Sequence, residues 1–307
     1  MTRGLWLVLV ELVIITRGWT FNPLYNLIIL QVIWAIGISM IILGLLVRFS
    51  YYVILIYGIV VVFGHNLLVN VEIENAAGQP AIWWDLVHHA KFAFPSLWKD
   101  HYVMIVYAFL PWSGLMALGY CFGSLFKSDV PQELRQKRLL YLGLAVTVLF
   151  VALRFVNQYG DPTTWAEQPR GGLYTFLSFL NTNKYPPSLM FLSMTIGLAI
   201  LFLALVERVK GKLAEIFIVY GRVPFFYYVL HFYIIHSFCV IAFFASGNGV
   251  NQIVDMNSPF LFRPQTKGFN LWVVYGIWLA VVVILYPLCK WYKRYKATHN
   301  QWWLSYT

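Results

Sequence analysis

The chain has 307 residues, of which 60% are hydrophobic and 11% charged. A soluble domain carries about 25% charged residues, and one of this length has too much surface to hide so much apolar side chain, so a water-soluble fold is excluded. The formal charge of +10 would point to nucleic acid in a soluble protein. Here the basic residues sit between apolar runs, where orientation in a bilayer and anionic lipid are the fitting reasons, and no nucleic-acid partner is expected. Cys121, Cys239 and Cys289 each fall within or at the end of an apolar run. They form no CxxC pair and no metal-ligand spacing, so neither a disulfide framework nor a metal site is expected.

Eight apolar segments follow one another: Gly4–Thr16, Tyr25–Val47, Tyr51–Val71, Tyr102–Phe126, Leu139–Val156, Pro187–Val206, Val223–Ala245 and Phe269–Lys290. A helix needs about 20 apolar residues to cross a bilayer. Seven segments come close; Gly4–Thr16 is short and carries Glu11. That first segment lacks a small-residue cleavage site and is not read as a secretory signal. The expected fold is all-α, a polytopic transmembrane helix bundle of about eight membrane helices, forming one transmembrane domain over residues 1–307.

If the N-terminus lies on side one and all eight segments cross, side one holds thirteen basic residues. They are Arg3, Arg48, Lys127, Arg135, Lys137, Arg138, Arg208, Lys210, Lys212, Lys290, Lys293, Arg294 and Lys296. Side two holds seven: Arg17, Lys91, Lys99, Arg170, Lys184, Arg263 and Lys267. The positive-inside rule makes side one cytoplasmic, with both termini there. The long loops, near 72–101, 157–186 and 246–268, then all face outward. Within the first, Ile82–Phe94 carries Trp83, Trp84, His88, His89 and Lys91, and reads as an interfacial amphipathic helix.

Ionisable side chains cost about 2.5–3.5 kcal/mol at membrane depth and persist where they meet a cavity or a partner. Glu11, His65, Arg154, Arg222, His231 and His236 are such residues. Pro224 suits the first turn of the seventh segment, which places Arg222 at its cytoplasmic mouth. His236 comes fourteen residues later, ~21 Å along a helix and nearly on the same face. His231 points roughly 140° away from His236. His65 ends the third segment, Asp161 follows the fifth, and Lys184 precedes the sixth. His65, Asp161, Lys184 and His236 therefore gather in the outer half. Structural readings stand beside these. A membrane histidine often hydrogen-bonds a neighbouring helix, and Asp161-Pro162 is also a turn signal. Arg222 and Arg154 suit snorkelling anchors, and Glu11 suits pairing with another helix.

Several phrases carry a family resemblance. They are Thr2-Arg3-Gly4-Leu5-Trp6, Leu30-Gln31-Val32-Ile33-Trp34-Ala35-Ile36-Gly37, Gly64-His65-Asn66-Leu67 and Gln158-Tyr159-Gly160-Asp161. Lys184-Tyr185-Pro186-Pro187-Ser188-Leu189 and Gly221-Arg222-Val223-Pro224-Phe225-Phe226-Tyr227-Tyr228-Val229-Leu230-His231 complete the set. In their order and spacing, over nearly the whole chain, they resemble the bacterial members of the heparan-alpha-glucosaminide N-acetyltransferase-like membrane family. The resemblance implies a transmembrane acyltransferase that takes an acetyl group from cytoplasmic acetyl-CoA and gives it to a sugar-type acceptor on the outer side. Family members usually begin with two further helices, carrying Asp-x-x-Arg-Gly and Asp-His phrases and the family's catalytic histidine. This chain starts at what would be the third helix, as the last eight of a ten-helix fold, so no residue here inherits that role by motif. The expected assignments are His65 and His236 as the proton-accepting imidazoles with Asp161 orienting. Arg222, Arg135 and Arg138 would hold the acyl-CoA phosphates. Asn66, Tyr159, Lys184, Tyr185 and His231 would line the acceptor site. Other readings are an N-terminally truncated inactive remnant and a transporter without chemistry. Haem is not expected, because His231 and His236 point apart. The bilayer is the expected surrounding, a bacterial inner membrane the expected location, and a homo-oligomer is left open.

Overall fold

The computed structural model describes residues 1–76, 78, 80–254, 260–263 and 268–306. Lys267, one of the seven side-two cations, and part of the 246–268 loop lie outside the described residues. In chain order the helices are α1 (Thr2–Val10), α2 (Thr16–Thr20), α3 (Val32–Leu46), α4 (Tyr51–Gly64), α5 (Ile82–Trp84), α6 (Phe109–Phe122), α7 (Gln132–Val156), α8 (Gly172–Leu180), α9 (Leu189–Val206), α10 (Lys212–Arg222), α11 (Pro224–Ala245) and α12 (Leu271–Thr298). Among the described residues, three short strands, β1 (Leu27–Leu30), β2 (Ser96–Trp98) and β3 (His101–Ile105), form a sheet in the order β1-β3-β2. Among the described residues, six helical stretches are long and apolar enough to cross a membrane: Tyr51–Leu68, Phe109–Phe126, Gln132–Val156, Leu189–Val206, Pro224–Ala245 and Leu271–Thr298. Val32–Leu46 is a shorter apolar helix. The protein is an all-α, polytopic, multi-pass membrane protein.

Several expected boundaries move. The segment expected over Tyr25–Val47 begins as strand β1, and its helix starts only at Val32. Four consecutive apolar residues, Leu27–Leu30, fit a buried strand as well as a helix, and their period does not separate the two. Tyr102–Phe126 likewise opens as β3 before α6. The fifth and eighth segments are longer than their apolar cores. α7 begins at Gln132 and α12 runs to Thr298, so Arg135, Lys137, Arg138, Lys293 and Lys296 ride on helices. The first segment grows to Thr2–Thr20 by way of a π-helical turn, Glu11–Ile15. α8 and α10 are helices inside stretches expected to be loop. Ile82–Phe94 is not an interfacial helix: only Ile82–Trp84 is α-helical, a π turn covers Asp85–His89, and Trp84, Asp85, His88 and His89 are buried. Phe92 and Ala90 have positive φ, which breaks the helix after His89.

The chain divides into two compact units. The first comprises Met1–Val8, Leu30–Pro95 and Met104–Val209; the second comprises Leu9–Ile29, Ser96–Val103 and Lys210–Thr307. In the first, α4 packs on α6, α3 on α6, and α7 on α9. Small residues let these backbones approach closely, as in other membrane helix pairs. A Cβ added at Gly197 would lie 2.6 Å from Thr147 Oγ1 and 2.9 Å from its backbone nitrogen. One added at Gly143 would lie 2.9 Å from the Leu201 nitrogen. Gly114 meets Val61 and Gly58 meets Leu118 in the α4–α6 seam, and Gly4 of α1 faces Gly37 of α3. In the second unit α11 packs on α2 and on α12, and α10 packs on α12. Val219, Val223, Val281, Leu285, Cys289, Tyr292 and Leu304 form its core.

Candidate functional site

The loop end of the first unit is built where α4 ends, α7 ends and α9 begins. α7 stops at Asn157, which takes a left-handed conformation (φ 57°) that asparagine tolerates. Its side chain exchanges hydrogen bonds with the backbone of Trp165, at 3.0 and 3.1 Å. α9 starts after Pro186-Pro187, which disfavour helix in the residues before them. Ser188 caps it by accepting from the Phe191 N–H at 3.0 Å. The Ser188 hydroxyl donates to Asp161 at 2.6 Å, and the same carboxylate accepts from the Asn183 and Thr163 N–H groups at 2.8 and 2.9 Å. Asp161 therefore clasps the start of α9 to the chain leaving α7. The expected bond from Asp161 to a histidine is not among these, and the side chain that meets His65 Nε2 is that of Asn66.

His65 stands on the 3-10 turn that extends α4 and is 2% exposed. Asn66 is best oriented with its amide oxygen accepting from His65 Nε2 and from the Leu189 N–H, both at 3.2 Å. Its NH₂ then donates to the Gly160 carbonyl at 3.3 Å. In this orientation every amide group finds its complement, which is how such amides are assigned. Gly160 has φ +97°, a region favourable to glycine, and its carbonyl also accepts from the Met190 N–H at 3.0 Å. The Tyr159 hydroxyl donates to the Phe63 carbonyl.

Two histidines beside His65 were not among the expected site residues. His88 is fully buried, and its Nε2 lies 2.8 Å from the His65 carbonyl and 3.4 Å from His65 Nδ1. The carbonyl is an acceptor only, so His88 Nε2 carries the proton. His89 is 2% exposed and gives Nδ1 to the Glu72 carboxylate at 3.2 Å. Lys91 holds the other Glu72 oxygen at 3.0 Å. Among the described residues, His88 Nδ1 and His89 Nε2 are buried without a hydrogen-bond partner, and such buried atoms are uncommon enough to require explanation. Burial lowers the His88 pKa from 6.5 to about 4. Burial raises that of the Asp85 carboxyl, while the Lys91 hydrogen bond lowers that of Glu72. The signal available in sequence was a His-His pair with Asp85, Glu72 and Lys91 close by in an otherwise aromatic loop.

Glu72, Lys91, Asn70, Asn183 and Tyr185 line an open cleft of about 490 Å³ with Val69, Pro162 and Pro186. Beside it Lys184 lies 5.2 Å from the Tyr185 ring and 5.8 Å from the Tyr107 ring. Burial pulls the Lys184 ammonium down, but hydrogen bonds with Tyr107 and Tyr185 outweigh it and leave the group above its ordinary value. The cleft thus offers amides, a carboxylate, an ammonium and an aromatic face, the chemistry that grips a polyhydroxylated or amino-bearing ligand.

Arg154 is not an exposed anchor. It is 1% exposed and donates to the carbonyls of Phe179, Thr163, Ser178 and Asn181 at 2.8–3.0 Å. It organises the loop that carries Asp161. At the other end of this unit Arg135 is ion-paired with Glu207 and lies 5.5 Å from the Phe126 ring. Arg138 is exposed. Lys137 and Arg208 line a groove of about 300 Å³ with Glu133, Gln136 and Leu140.

The remaining expected residues belong to the second unit. Arg222 ends α10, and Val223 follows with φ −139° and ψ 46°. Proline disfavours helix in the residue before it, so α11 does not extend to Arg222. The expected shared helical face of Arg222 and His236 does not exist. His236 has Nδ1 3.2 Å from the Gly18 carbonyl and Nε2 3.1 Å from the Leu261 carbonyl, and its ring stacks on Phe21 at 3.9 Å. With both nitrogens turned to carbonyls, neither is free to accept a proton from a substrate. His231 gives Nδ1 to the Tyr228 carbonyl and stacks on Tyr227.

Residues 1–154 match the sequence model of the family described as heparan-alpha-glucosaminide N-acetyltransferase, catalytic. His65, Asn66, Glu72, His88, His89 and Lys91 all lie within that stretch. No curated protein and no solved structure matches the chain.

Proposed function

The chain belongs to the heparan-alpha-glucosaminide N-acetyltransferase family, a family of membrane acyltransferases, and from that premise we propose that it moves an acetyl group from cytoplasmic acetyl-CoA to an amino-sugar acceptor at the outer face. The observation that carries the reading is the family match, with the histidine cluster lying inside the matched residues. The cleft of Asn70, Glu72, Lys91, Asn183 and Tyr185 is the acceptor site. There Tyr185 offers a sugar its ring, and the amides and ions meet its hydroxyl and amino groups. His65 donates from Nε2 to Asn66, which leaves Nδ1, 3.4 Å from His88 Nε2, as its one basic nitrogen and the proton acceptor of this reading.

Lys137, Arg138 and Arg208 meet the phosphates of the donor, since Arg135 is committed to Glu207. This orientation puts the loop end of the first unit outside and both termini in the cytoplasm, as the excess of basic residues on side one requires. The location is a bacterial inner membrane. The CoA carries the activated acyl group, and the protein supplies position and electrostatics.

The test is acetyl transfer from labelled acetyl-CoA to glucosamine and related sugars by the full chain in proteoliposomes. We expect labelled acetylated sugar together with free thiol. His65→Ala is expected to lower kcat by about 10²-fold or more, the scale of general acid–base catalysis. His236→Ala is expected to cost stability and leave the chemistry of the folded fraction in place. Absence of acetyl transfer by the wild-type protein to any amino sugar sinks the reading.

A further inference from the structure

We propose that α8 (Gly172–Leu180) docks on the bilayer surface at the loop end of the first unit, and that this seat holds one wall of the cleft in place. The two faces of the helix differ in kind. Leu173, Phe176, Leu177 and Leu180 follow the i, i+3, i+4, i+7 spacing of a single helical stripe. The first three are 69%, 57% and 49% exposed. The other face is tied to the protein. Thr175 Oγ1 accepts from the Gln168 N–H at 2.9 Å, and Ser178 Oγ from the Ala166 N–H at 3.3 Å. The Phe179 ring meets those of Phe150, Phe155 and Trp165, with centroids 5.3–5.7 Å apart. The rotation of α8 is therefore fixed, and the apolar stripe is the side turned away.

Its depth is fixed as well. Phe150 and Phe155 belong to the last two turns of α7, a helix long and apolar enough to cross the membrane. Phe155 is itself largely exposed and faces lipid in any bilayer that α7 spans. Between them Arg154 donates to the Phe179, Ser178 and Asn181 carbonyls, the groups that the end of a helix leaves without partners in its own backbone. The C-terminal end of α8 is thus pinned beside the edge of a spanning helix. There the region between headgroups and acyl chains is the fitting neighbour for a stripe of large apolar side chains. Just before α8, the exposed Arg170 lies 3.9 Å from the Tyr174 ring and donates to its hydroxyl at 2.9 Å. A guanidinium at that level meets lipid phosphates, which it binds with paired hydrogen bonds. The partner is therefore the phospholipid interface itself, and the interfacial role expected of Ile82–Phe94 falls to α8.

The seat bears on the cleft because the chain runs from α8 straight into its wall. Asn181, held by Arg154, is followed by Asn183, Tyr185 and Pro186, which line the cleft. The Asn183 N–H is held by Asp161 at 2.8 Å, and its carbonyl accepts from the Ser188 N–H at 2.8 Å. Contact with lipid does not depend on the acyltransferase reading.

Two measurements on the full chain in nanodiscs of phosphatidylglycerol and phosphatidylethanolamine test this. In a Cys239→Ser background, where Cys121 and Cys289 are buried, a nitroxide is attached in turn to Leu173→Cys, Phe176→Cys and Leu177→Cys. Glu167→Cys, in the exposed stretch before α8, is the reference. The three stripe labels are expected to relax with dissolved oxygen, about 5–10 Å below the lipid phosphates, and the reference label with a water-soluble nickel chelate. Equal access of the chelate to all four labels overturns the docking. Labels shielded from both agents, with spin–spin broadening between copies, also overturn it, because a second copy then covers the stripe. The second measurement is amide hydrogen exchange in the double variant Leu173→Glu, Phe176→Glu. Loss of the seat is expected to speed exchange of the Asn183 and Ser188 N–H groups at least about threefold, with the middle of α9 unchanged. Leu173→Gln, a milder change at the most exposed position of the stripe, carries the same expectation. Wild-type exchange at Asn183 and Ser188 in both variants overturns the hold on the cleft.

Discussion

His88 ties burial to acidity. Its pKa falls from 6.5 to about 4 on burial, so between those values the unfolded chain binds more protons than the folded one. Stability then rises with pH through that window, is complete above about 6.5, and is lost as pH falls toward 4. One such group contributes about 1.4 kcal/mol per pH unit. Thermal unfolding in detergent should therefore show a loss on the order of 2 kcal/mol between pH 7 and 5. The loss should be smaller in His88→Gln. Asp85, raised by burial, adds a slope of the opposite sign near the carboxylate range, and the difference between wild type and His88→Gln removes it. An identical slope in both proteins excludes His88 as the cause. Ile82–Phe94 reads in sequence as an interfacial amphipathic helix, because nothing local signals that Trp84, His88 and His89 turn inward. The contacts that bury His88 reach to His65, 23 residues earlier. Arg154 and His236 were visible as costly membrane ions, but their partners are backbone carbonyls, which no side-chain pattern announces.

Among the elements, the long apolar runs were legible because lipid enforces both length and composition. Their ends were not. The helical starts of α3 and α6 are preceded by strands whose apolar residues look the same, and α7 continues through a charged first turn. Close helix seams were also hidden, since a glycine in an apolar run reads equally as a weak point or as a contact. The seam between α7 and α9 makes a sharp expectation. At Gly197 the nearest obstacle includes the backbone of Thr147, which cannot rotate away. Gly197→Ala should therefore cost about 1–3 kcal/mol through overpacking. Gly221, in α10, has no neighbour within 4 Å of an added Cβ, so Gly221→Ala should be neutral or stabilising by up to about 1 kcal/mol. Equal unfolding temperatures for the two variants would contradict the seam.

For the molecule as a whole, composition alone excluded a soluble fold, and the family was legible in ordered short phrases. The expected phrases continue past the 154 residues matched. The acceptor cleft was not legible, because its wall joins residues from 69–72, 91, 162 and 183–186 that only the fold brings together. Sidedness is the property most open to a direct check. Arg170 and Lys212 are both exposed. In a Cys239→Ser background, Arg170→Cys should react with a membrane-impermeant thiol reagent added outside intact cells. Lys212→Cys should react only after the membrane is opened. The reverse pattern would invert the proposed direction of transfer.

The glycine seams also constrain how a long, thin donor can travel. Where α7 meets α9 the glycines abut the main chain of Thr147 and Leu201, and where α4 meets α6 the space above them is filled by the side chains of Val61 and Leu118. Even a chain one methylene thick finds no room in either seam, because a single added Cβ there already lies under 3 Å from a neighbouring atom, so the arm cannot slip through without prising helices apart. Within the first unit, these pairs act as closed walls, and any route for the arm must run along some other surface. Crosslinking α7 to α9 near Gly197 should therefore leave donor access intact.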